Sequence, residues 1–384
     1  MVQFSEKGPL LGVVDSFQIH PSNGQDGGNM SKIAISDLKD FCRTVLQKEG
    51  MKNEYATNVA DVLSETDAFG IHSHGTKNLP GYIQKIRAGG IDIHAEPEII
   101  LNAASLATID ARRAIGMVPA VQAMDIACQK ANHTGLALIT VCNSCHFGAA
   151  GYYANMAAKR GMIGIAMSNV DPNMTIPGAR GMVIGNNPFA YAAPMGNGES
   201  MFLDIAMSNV ASLKVVQARK DRRQIPDNWI VDKNGVPTTD PSHYPEEGAM
   251  QPMAAHKGYG LAILVDLLTA VLSNGCTSME GQISSWCFDM ERPNNVCHAF
   301  LAIDPQVFPV GCGLSARVFE MARALRNAPK AQDSTRIFTP GEIEWSRHRR
   351  AEQEGISLPS DLEMILQQFS HAEGIPLFIK EGRL

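Results

Sequence analysis

Short apolar runs rich in β-branched residues alternate with helical stretches through the middle of the chain, and this alternation constrains the fold most. Runs typical of strands lie at residues 98–101, 107–110, 136–141, 162–167, 202–205 and 298–303. Apolar residues with helical spacing separate the earlier runs, at residues 118–131 and 149–159, and a further helix is predicted at 257–273. Strands that alternate with helices are typical of layered α/β domains.

Both ends of the chain are predominantly helical. Helical spacing of apolar residues recurs at residues 36–47, 53–67, 79–88, 314–326, 342–354 and 360–369. We therefore expect a mainly helical domain built from residues 30–105 and 310–384. A mixed α/β domain of residues 106–309 would be inserted between its two halves. Residues 1–29 lack such periodicity and are interpreted as a flexible N-terminal extension.

The glycine pattern argues against the common dinucleotide fold. No strand-like run is followed by G-x-G-x-x-G, and the glycine clusters at residues 178–185 and 258–260 have the wrong spacing. An Asn-Gly turn at residues 232–235 predicts at least one antiparallel pair of strands. The expected fold class is therefore α/β with a non-Rossmann mixed sheet.

Charge and cysteine usage narrow the functional class. The 33 basic and 39 acidic side chains give a net charge of -6, which disfavours binding to nucleic acid. No apolar stretch is long enough to cross a bilayer, and residues 1–29 lack a secretory signal. The eight cysteines are scattered through apolar runs, as reduced thiols are. We expect a cytoplasmic enzyme that acts on a small molecule.

The sequence Cys142-Asn-Ser-Cys145-His146 matches the C-x-x-C-H pattern of haem attachment. It lies at the end of an apolar strand in a chain without an export signal, which disfavours a cytochrome. Zinc would need a second pair of ligands, and Cys287 and Cys297 are ten residues apart. Coincidence is the favoured interpretation, and no metal site is predicted.

A loop between two predicted helices carries His72, Ser73, His74 and Gly75. Histidine is the side chain whose unperturbed pKa suits proton exchange near neutral pH, and a neighbouring hydroxyl can fix its tautomer. A capping serine with two solvated histidines explains the same residues. Spacing alone leaves both interpretations open.

Three further segments contain candidates for binding. His146 opens a strand-to-helix junction of small residues, where a helix N-terminus can hold phosphate or simply pack. Asp204 is a lone carboxylate at the end of an apolar strand and needs either a backbone cap or a histidine as partner. His256 and Lys257 begin a helix beside glycines, which suits contact with a phosphate or ribose, although a surface lysine in a turn is the alternative.

Taken together, these motifs resemble the malate/L-lactate dehydrogenase type 2 family. That family also includes ureidoglycolate, sulfolactate, diketogulonate and piperideine-2-carboxylate oxidoreductases. The segments that carry the resemblance are residues 67–75 with Pro80 and Tyr82, 146–150, 185–189, 204–206, 237–241, 256–260, 302–305 and 340–342.

The resemblance implies an NAD(P)-dependent oxidoreductase with a non-Rossmann cofactor domain. Its reaction would be hydride transfer between NAD or NADP and a small 2-hydroxy acid or 2-oxo acid. An imine or diketo-acid reductase of the same family, or a ligand-binding relative without catalysis, is the alternative. The resemblance also implies a homodimer whose active site lies at the subunit interface.

Roles are carried over from the resemblance position by position. It implies that His74 is the proton donor and acceptor, with Ser73 and Asp204 as its relay partners, although some members use the equivalent of His146 as the base. The implied cofactor contacts are His146, Phe147, Gly148, Ala149, Ala150, Phe202, Leu203, Ile205, Ala206, His256, Lys257, Gly341, Glu342 and Ile343.

One position departs from the family pattern and concerns the substrate. Members usually carry arginine where this chain has Asn78, and a guanidinium grips a carboxylate with two hydrogen bonds. Either Lys77 replaces it, or the acid group is held elsewhere, or the substrate differs. The expected substrate contacts are therefore Lys77, Asn78 and Tyr82.

Overall fold

The computed structural model describes residues 30–380, so the predicted extension at residues 1–29 lies outside the described residues. Within this range the chain forms ten α-helices and twelve β-strands. The helices are α1 (Ile35–Lys48), α2 (Asn53–Ala68), α3 (Leu79–Arg87), α4 (Met117–Thr134), α5 (Ala150–Ala158), α6 (Ser212–Lys220), α7 (His256–Asp266), α8 (Leu314–Arg326), α9 (Glu342–Glu354) and α10 (Ser360–Glu373). The strands are β1 (Lys32–Ile33), β2 (Glu98–Asn102), β3 (Leu106–Asp110), β4 (Leu136–Ser144), β5 (Ile163–Ser168), β6 (Phe189–Pro194), β7 (Ser200–Ile205), β8 (Ile230–Val231), β9 (Pro237–Thr238), β10 (Ala249–Met250), β11 (Val296–Ile303) and β12 (Ile356–Ser357).

A seven-stranded mixed sheet forms the centre of the molecule. Its strand order is β2-β3-β4-β11-β5-β6-β7. Strands β3 and β4 are parallel, and the other neighbouring strands of this sheet are antiparallel. The predicted α/β class and mixed sheet are therefore confirmed. Strand β7 lies at one edge of the sheet.

Helices cover both faces of this sheet. On one face, α4 and α5 pack on the central strands and on each other, and on the opposite face α7 lies near β5. Helix α4 buries alanines at positions 120, 123, 127 and 131, so its inner face has helical periodicity and small side chains. These allow the helix to lie close to the sheet.

The helices of the two chain ends pack together. Phe41 of α1 meets Phe369 of α10 edge to face at 6.4 Å, and β1 pairs with β12. One continuous cluster of buried apolar residues runs from these helices into the sheet. Strand β2 and helix α8 lie in the ranges predicted for the helical domain, yet both contact the sheet. β2 is an edge strand of the sheet, and α8 packs on β6. The division into domains therefore stays a prediction.

A small hairpin confirms the Asn-Gly turn. Strands β8 and β9 pair antiparallel on either side of the turn, and β10 pairs with β8. The predicted helix at residues 257–273 is present, and its segment Leu267–Val271 is π-helical. No helix in residues 30–380 is long and apolar enough to cross a membrane.

Candidate active site

The loop after α2 is held by a buried carboxylate. Asp67 is 1% exposed, and its Oδ1 lies 2.7 Å from Nδ1 of His72. Its Oδ2 accepts the backbone N–H of Thr76 at 2.8 Å and the hydroxyl of the same residue. A Cβ on Gly75 would lie 2.2 Å from Oδ1, so only glycine leaves room for this carboxylate. The loop that carries His74 therefore has a defined shape.

Ser73 and His74 form the expected pair on this loop. The Ser73 hydroxyl lies 2.9 Å from Nδ1 of His74, and both residues are exposed. This contact occupies one ring nitrogen and leaves Nε2 for a ligand. Surrounding protein atoms exclude water from part of the ring and lower the pKa of His74 below its usual value. This direction favours the neutral imidazole, the form that can accept a proton.

His146 lies beside His74 at the junction between β4 and α5. The two imidazole rings are stacked, with centroids 5.7 Å apart. The hydroxyl of Tyr82 is hydrogen-bonded to Nδ1 of His146, and the Trp286 ring stacks on the imidazole at 4.6 Å. Burial, followed by the charges of His74 and His298, holds the pKa of His146 well below its usual range. Of the two neighbouring rings, His74 is the more exposed.

Asp204 has a different partner from the one expected. Its Oδ2 accepts the backbone N–H of Gly151 at 2.7 Å, in the first turn of α5. Burial raises the pKa of this carboxyl to about 6, Gly151 lowers it, and the charge of Glu344 raises it. Among the described contacts, Asp204 has none with His74. The structure thus brings Ser73 to His74, whereas the relay through Asp204 stays a prediction.

Two of the predicted cofactor segments meet at the edge strand. The backbone N–H of Phe202 donates to the carbonyl of Pro340 at 3.3 Å, and a Cβ on Gly341 would lie 2.5 Å from the Phe202 ring. Gly341 has φ +82°, which suits glycine. Leu203, Ile205 and Ala206 follow Phe202 along β7 and beyond its end, and Ile343 is exposed at the start of α9.

The third segment, at the start of α7, contacts the chain just beyond β7 through Met207. The Met207 carbonyl accepts the backbone N–H of Met253 at 2.8 Å, and a Cβ on Gly258 would lie 2.8 Å from that carbonyl oxygen. His256 and Lys257 are exposed in the first turn of α7. A cation at a helix N-terminus suits an anionic group such as phosphate. The chemistry of these side chains fits a dinucleotide along the β7 edge.

The remaining predicted cofactor contacts are occupied within the chain. The residues at positions 147–150 are buried, and Phe147 stacks on His298 at 4.4 Å. The carboxylate of Glu342 binds Arg326, Arg336 and Thr339. These hydrogen bonds outweigh burial and lower the pKa of Glu342 to about 2. Glu342 therefore fixes the turn before α9.

The three predicted substrate residues are also engaged. Lys77 Nζ lies 2.6 Å from the carboxylate of Asp361, and Asn78 donates its amide to the Ser73 carbonyl at 2.9 Å. Tyr82 is fully buried beside His146. Positions 77, 78 and 82 therefore offer no unpaired positive charge to a substrate carboxylate.

The thiols of the C-x-x-C-H sequence are buried in the end of β4 and the following turn. Burial raises the pKa of Cys142 to about 11 and that of Cys145 to about 12. Within residues 30–380, no group of three or more His, Cys, Asp or Glu side chains could hold a metal ion.

Sequence reasoning assigned no role to Asp67, Trp286 or His298. Asp67 was part of the motif at residues 67–75, so a signal existed, but its contacts depend on the path of the loop. His298 lies in an apolar strand, where Ser144 and Ser168 each approach a ring nitrogen at 2.8 Å and burial lowers its pKa to about 3. Trp286 lies about 140 residues from His146 in sequence, and no local pattern predicts their contact.

Comparison with known proteins identifies the family. A sequence profile of the malate/L-lactate dehydrogenase family matches residues 33–367. The chain belongs to this family. Malate dehydrogenase of Pyrococcus abyssi is 36% identical over 321 residues, which cover 82% of this chain and 87% of the relative. Ureidoglycolate dehydrogenase (NAD(+)) of Escherichia coli is 33% identical over 335 residues, 87% of this chain and 95% of the relative.

The fold of this malate/L-lactate dehydrogenase family member also matches solved structures. The structure of malate dehydrogenase from Pyrococcus horikoshii OT3 superposes with a TM-score of 0.83 at 30% identity. The match covers 93% of this chain and 99% of that one. The protein is therefore a dehydrogenase that acts on the CH–OH group of a hydroxy acid with a nicotinamide cofactor, and the predicted family, reaction class and enzyme class are confirmed.

Proposed function

We propose that the protein interconverts a small 2-hydroxy acid and its 2-oxo acid with NAD or NADP, and that His74 is the proton donor and acceptor. The observation that carries this proposal is the Ser73–His74 pair, exposed beside His146 on the loop that Asp67 holds. A nicotinamide, when bound, supplies or takes up the hydride. The chain's own residues supply the proton and the orientation.

In the oxidising direction, neutral His74 accepts the hydroxyl proton through Nε2 while the hydride leaves C2 of the substrate. In the reducing direction, protonated His74 donates that proton to the oxygen of the 2-oxo group as the hydride arrives at C2. Ser73 holds Nδ1 and so keeps the ring oriented in both directions. General acid–base catalysis of this kind contributes about 10²–10⁴-fold.

We place the cofactor along the β7 edge. His256 and Lys257 would bind its phosphates at the start of α7, and residues 202–206 and 341–343 would line its path. His146 would contact the nicotinamide end, because it is neutral and lies next to His74.

A second candidate reaction is the reduction of an imine by the same site. Lys77 is paired with Asp361 and Asn78 with the Ser73 carbonyl, which leaves no unpaired cation at these positions for a second carboxylate. A substrate with a single carboxylate, or with a protonated imine, suits that arrangement better than a dicarboxylate does.

The association of two chains is part of the proposal. An apolar stripe on α7 and the π-helical segment is exposed, with Leu261, Leu264, Leu267 and Val271 at intervals of three, three and four residues. We infer that a second copy of this chain covers the stripe in a homodimer and completes the active site. The eight free cysteines support a reducing compartment, the cytoplasm.

A spectrophotometric screen tests the reaction. NADH and NADPH are each incubated with a panel of 2-oxo acids and cyclic imines, and consumption is followed at 340 nm. We expect turnover with at least one 2-oxo acid and a preference for one nicotinamide. Consumption with imines alone would select the second reaction, and cofactor binding without consumption across the panel would contradict both.

A further inference from the structure

Residues 284–294 form a closed loop next to the candidate active site, which we name the Trp loop. Its two ends are joined, because the backbone N–H of Ser284 donates to the Asn294 carbonyl at 3.1 Å and the Asn294 side chain donates back to the Ser284 carbonyl. The Ser284 hydroxyl also donates to the carbonyl of Pro293 at 2.7 Å. The loop therefore has a fixed base, and its position depends on what its middle contacts.

A buried lysine holds the middle of the Trp loop. Lys85 is fully buried, and its ammonium donates to the carbonyl oxygens of Asp289 and Arg292, the latter at 2.7 Å. The ion pairs formed by residues 30–380 do not include Lys85, and burial lowers its pKa. A buried ammonium is costly unless it is hydrogen-bonded, and these two carbonyls supply the bonds.

The loop passes very close to the end of α3. A Cβ on Gly90 would lie 2.2 Å from the Met290 carbonyl oxygen and 3.0 Å from that of Arg292. The absence of a side chain at residue 90 thus lets the Trp loop approach the ammonium of Lys85.

The contacts of Lys85 with the Trp loop, which we call the clamp, also affect His146, because the loop carries Trp286. Trp286 in the loop stacks on the His146 ring at 4.6 Å with 16° between the planes, and on Tyr82 at 5.0 Å. Tyr82 and Lys85 are three residues apart on α3 and therefore share a face. One face of α3 accordingly fixes His146 twice, through the Tyr82 hydroxyl and through the clamped Trp286.

We propose that Lys85 is a positioning residue for the reaction: by clamping the Trp loop it holds Trp286 against His146 and so fixes that imidazole beside His74. This inference rests on the proposed function. The route runs from Lys85 to the loop carbonyls, to Trp286 and then to His146. It predicts that Lys85 and Trp286 act as one unit.

A double-mutant cycle tests the proposal. Lys85→Met, Trp286→Ala and the double variant are compared with wild type for kcat, KM and the Kd of the nicotinamide. Each single change lowers kcat by about tenfold to a hundredfold, because small displacements of a positioned group have effects of that size. The cofactor Kd stays within about twofold, and the double variant loses no more than the worse single variant, because both act through one route.

Two controls separate positioning from general damage. Trp286→Phe keeps an aromatic face on His146 and retains most of the kcat that Trp286→Ala loses. Lys130→Met removes an ammonium that also donates to a backbone carbonyl, that of Ala103 at 2.6 Å, away from the site, and leaves kcat unchanged.

Quenching of tryptophan fluorescence tests the contact between Lys85 and the Trp loop without any measurement of turnover. In a Trp229→Phe/Trp345→Phe chain, Trp286 is the sole tryptophan, and Lys85→Met raises its quenching by acrylamide at least about twofold if the clamp exists. Unchanged quenching, unchanged kcat in folded Lys85→Met, or losses that multiply in the double variant would each overturn the proposal. Should Lys85→Met fail to fold, equal kcat in Trp286→Ala and wild type would overturn it. Absence of turnover by wild type, with quenching as expected, would contradict the proposed function only.

Discussion

At the scale of single residues, the site depends on a few close contacts around a buried carboxylate. Asp67 accepts hydrogen bonds from Thr76 and contacts His72, and the space that it fills is left by the missing side chain of Gly75. The motif at residues 67–75 therefore specifies a loop shape as well as two reactive side chains. His74 is placed by this loop, and the Ser73 hydroxyl contacts its ring.

We predict that Gly75→Ala damages this loop. A Cβ 2.2 Å from Asp67 Oδ1 forces the carboxylate or the loop to move, and such overpacking costs about 1–3 kcal/mol of unfolding free energy. Urea unfolding measures the loss, and kcat should fall with it because His74 is displaced. Gly313→Ala is the matched control, since a Cβ there meets no atom within 4 Å and should change stability by no more than about 0.5 kcal/mol. Equal stability of Gly75→Ala and wild type would contradict the prediction.

At the scale of elements, two carboxyls at helix starts have opposite effects on stability. Asp204 binds the first turn of α5, but burial raises its pKa from 3.8 to about 6. Glu342 lies at the start of α9, and hydrogen bonds from Thr339, Arg326 and Arg336 outweigh burial to lower its pKa from 4.5 to about 2. Each helix start orders a segment of the candidate cofactor site, so these carboxyls connect stability with function.

The pH dependence of unfolding follows from these directions. Between about pH 4 and 6 the folded chain binds a proton at Asp204 that the unfolded chain has released, so the stability contributed at this position falls as pH rises. Asp204→Asn removes that loss and makes the chain more stable at pH 7.5 by up to about 3 kcal/mol, without changing it near pH 4.

The stability contributed by Glu342 depends on pH in the opposite direction. Its stabilisation is complete above about pH 4.5 and is lost as pH falls towards 2, so Glu342→Gln destabilises the chain at pH 7.5 by about 2–3 kcal/mol and has less effect at acidic pH. Urea midpoints of both variants at pH 4 and 7.5 test the pair. Destabilisation of the Asp204→Asn variant at pH 7.5 would show that the carboxylate charge contributes net stability.

The elements also show what the sequence could predict. Strands and helices with clear periodicity, such as those of the central sheet and both chain ends, are where the sequence places them. Strand β6 was missed because alanine fills three of its six positions, and its β propensity is low. The π-helical segment after residue 266, which contacts β11 and β4, was not predicted, because the spacing of apolar residues does not distinguish π from α geometry. In the site, Ser73 and His74 were predictable from a short motif, whereas the stacking of Trp286 on His146 was not, because it joins distant segments.

At the scale of the whole molecule, a sheet with helices on both faces brings distant segments to one edge. Strand β11 lies between β4 and β5, although about 150 residues separate β4 from β11. The strand that precedes His146 and the β7 edge therefore belong to one sheet. The helices of both chain ends pack beside this layer and supply His74 and the start of α9. The site is thus assembled by the topology.

We predict that the exposed stripe on α7 mediates dimerisation. Leu264→Asp with Leu267→Asp places two charges where apolar side chains, each nearly half exposed, would be buried by a partner. Multi-angle light scattering should give twice the chain mass of 41.5 kDa for the wild type and the mass of one chain for the variant. Phe319→Asp with Met321→Asp, at two exposed positions of α8, is the control and should leave the dimer intact. A wild-type monomer would contradict the prediction.

The assignment of His74 as the proton carrier is tested most directly by His74→Asn and His146→Asn in parallel, with single-turnover kinetics and the Kd of the nicotinamide measured for both. We predict that His74→Asn lowers the rate of the chemical step at least about a hundredfold and leaves cofactor affinity nearly unchanged. The His146→Asn variant should weaken cofactor binding and retain more of the chemical step. Near-normal turnover in His74→Asn together with an inactive His146→Asn would contradict the account.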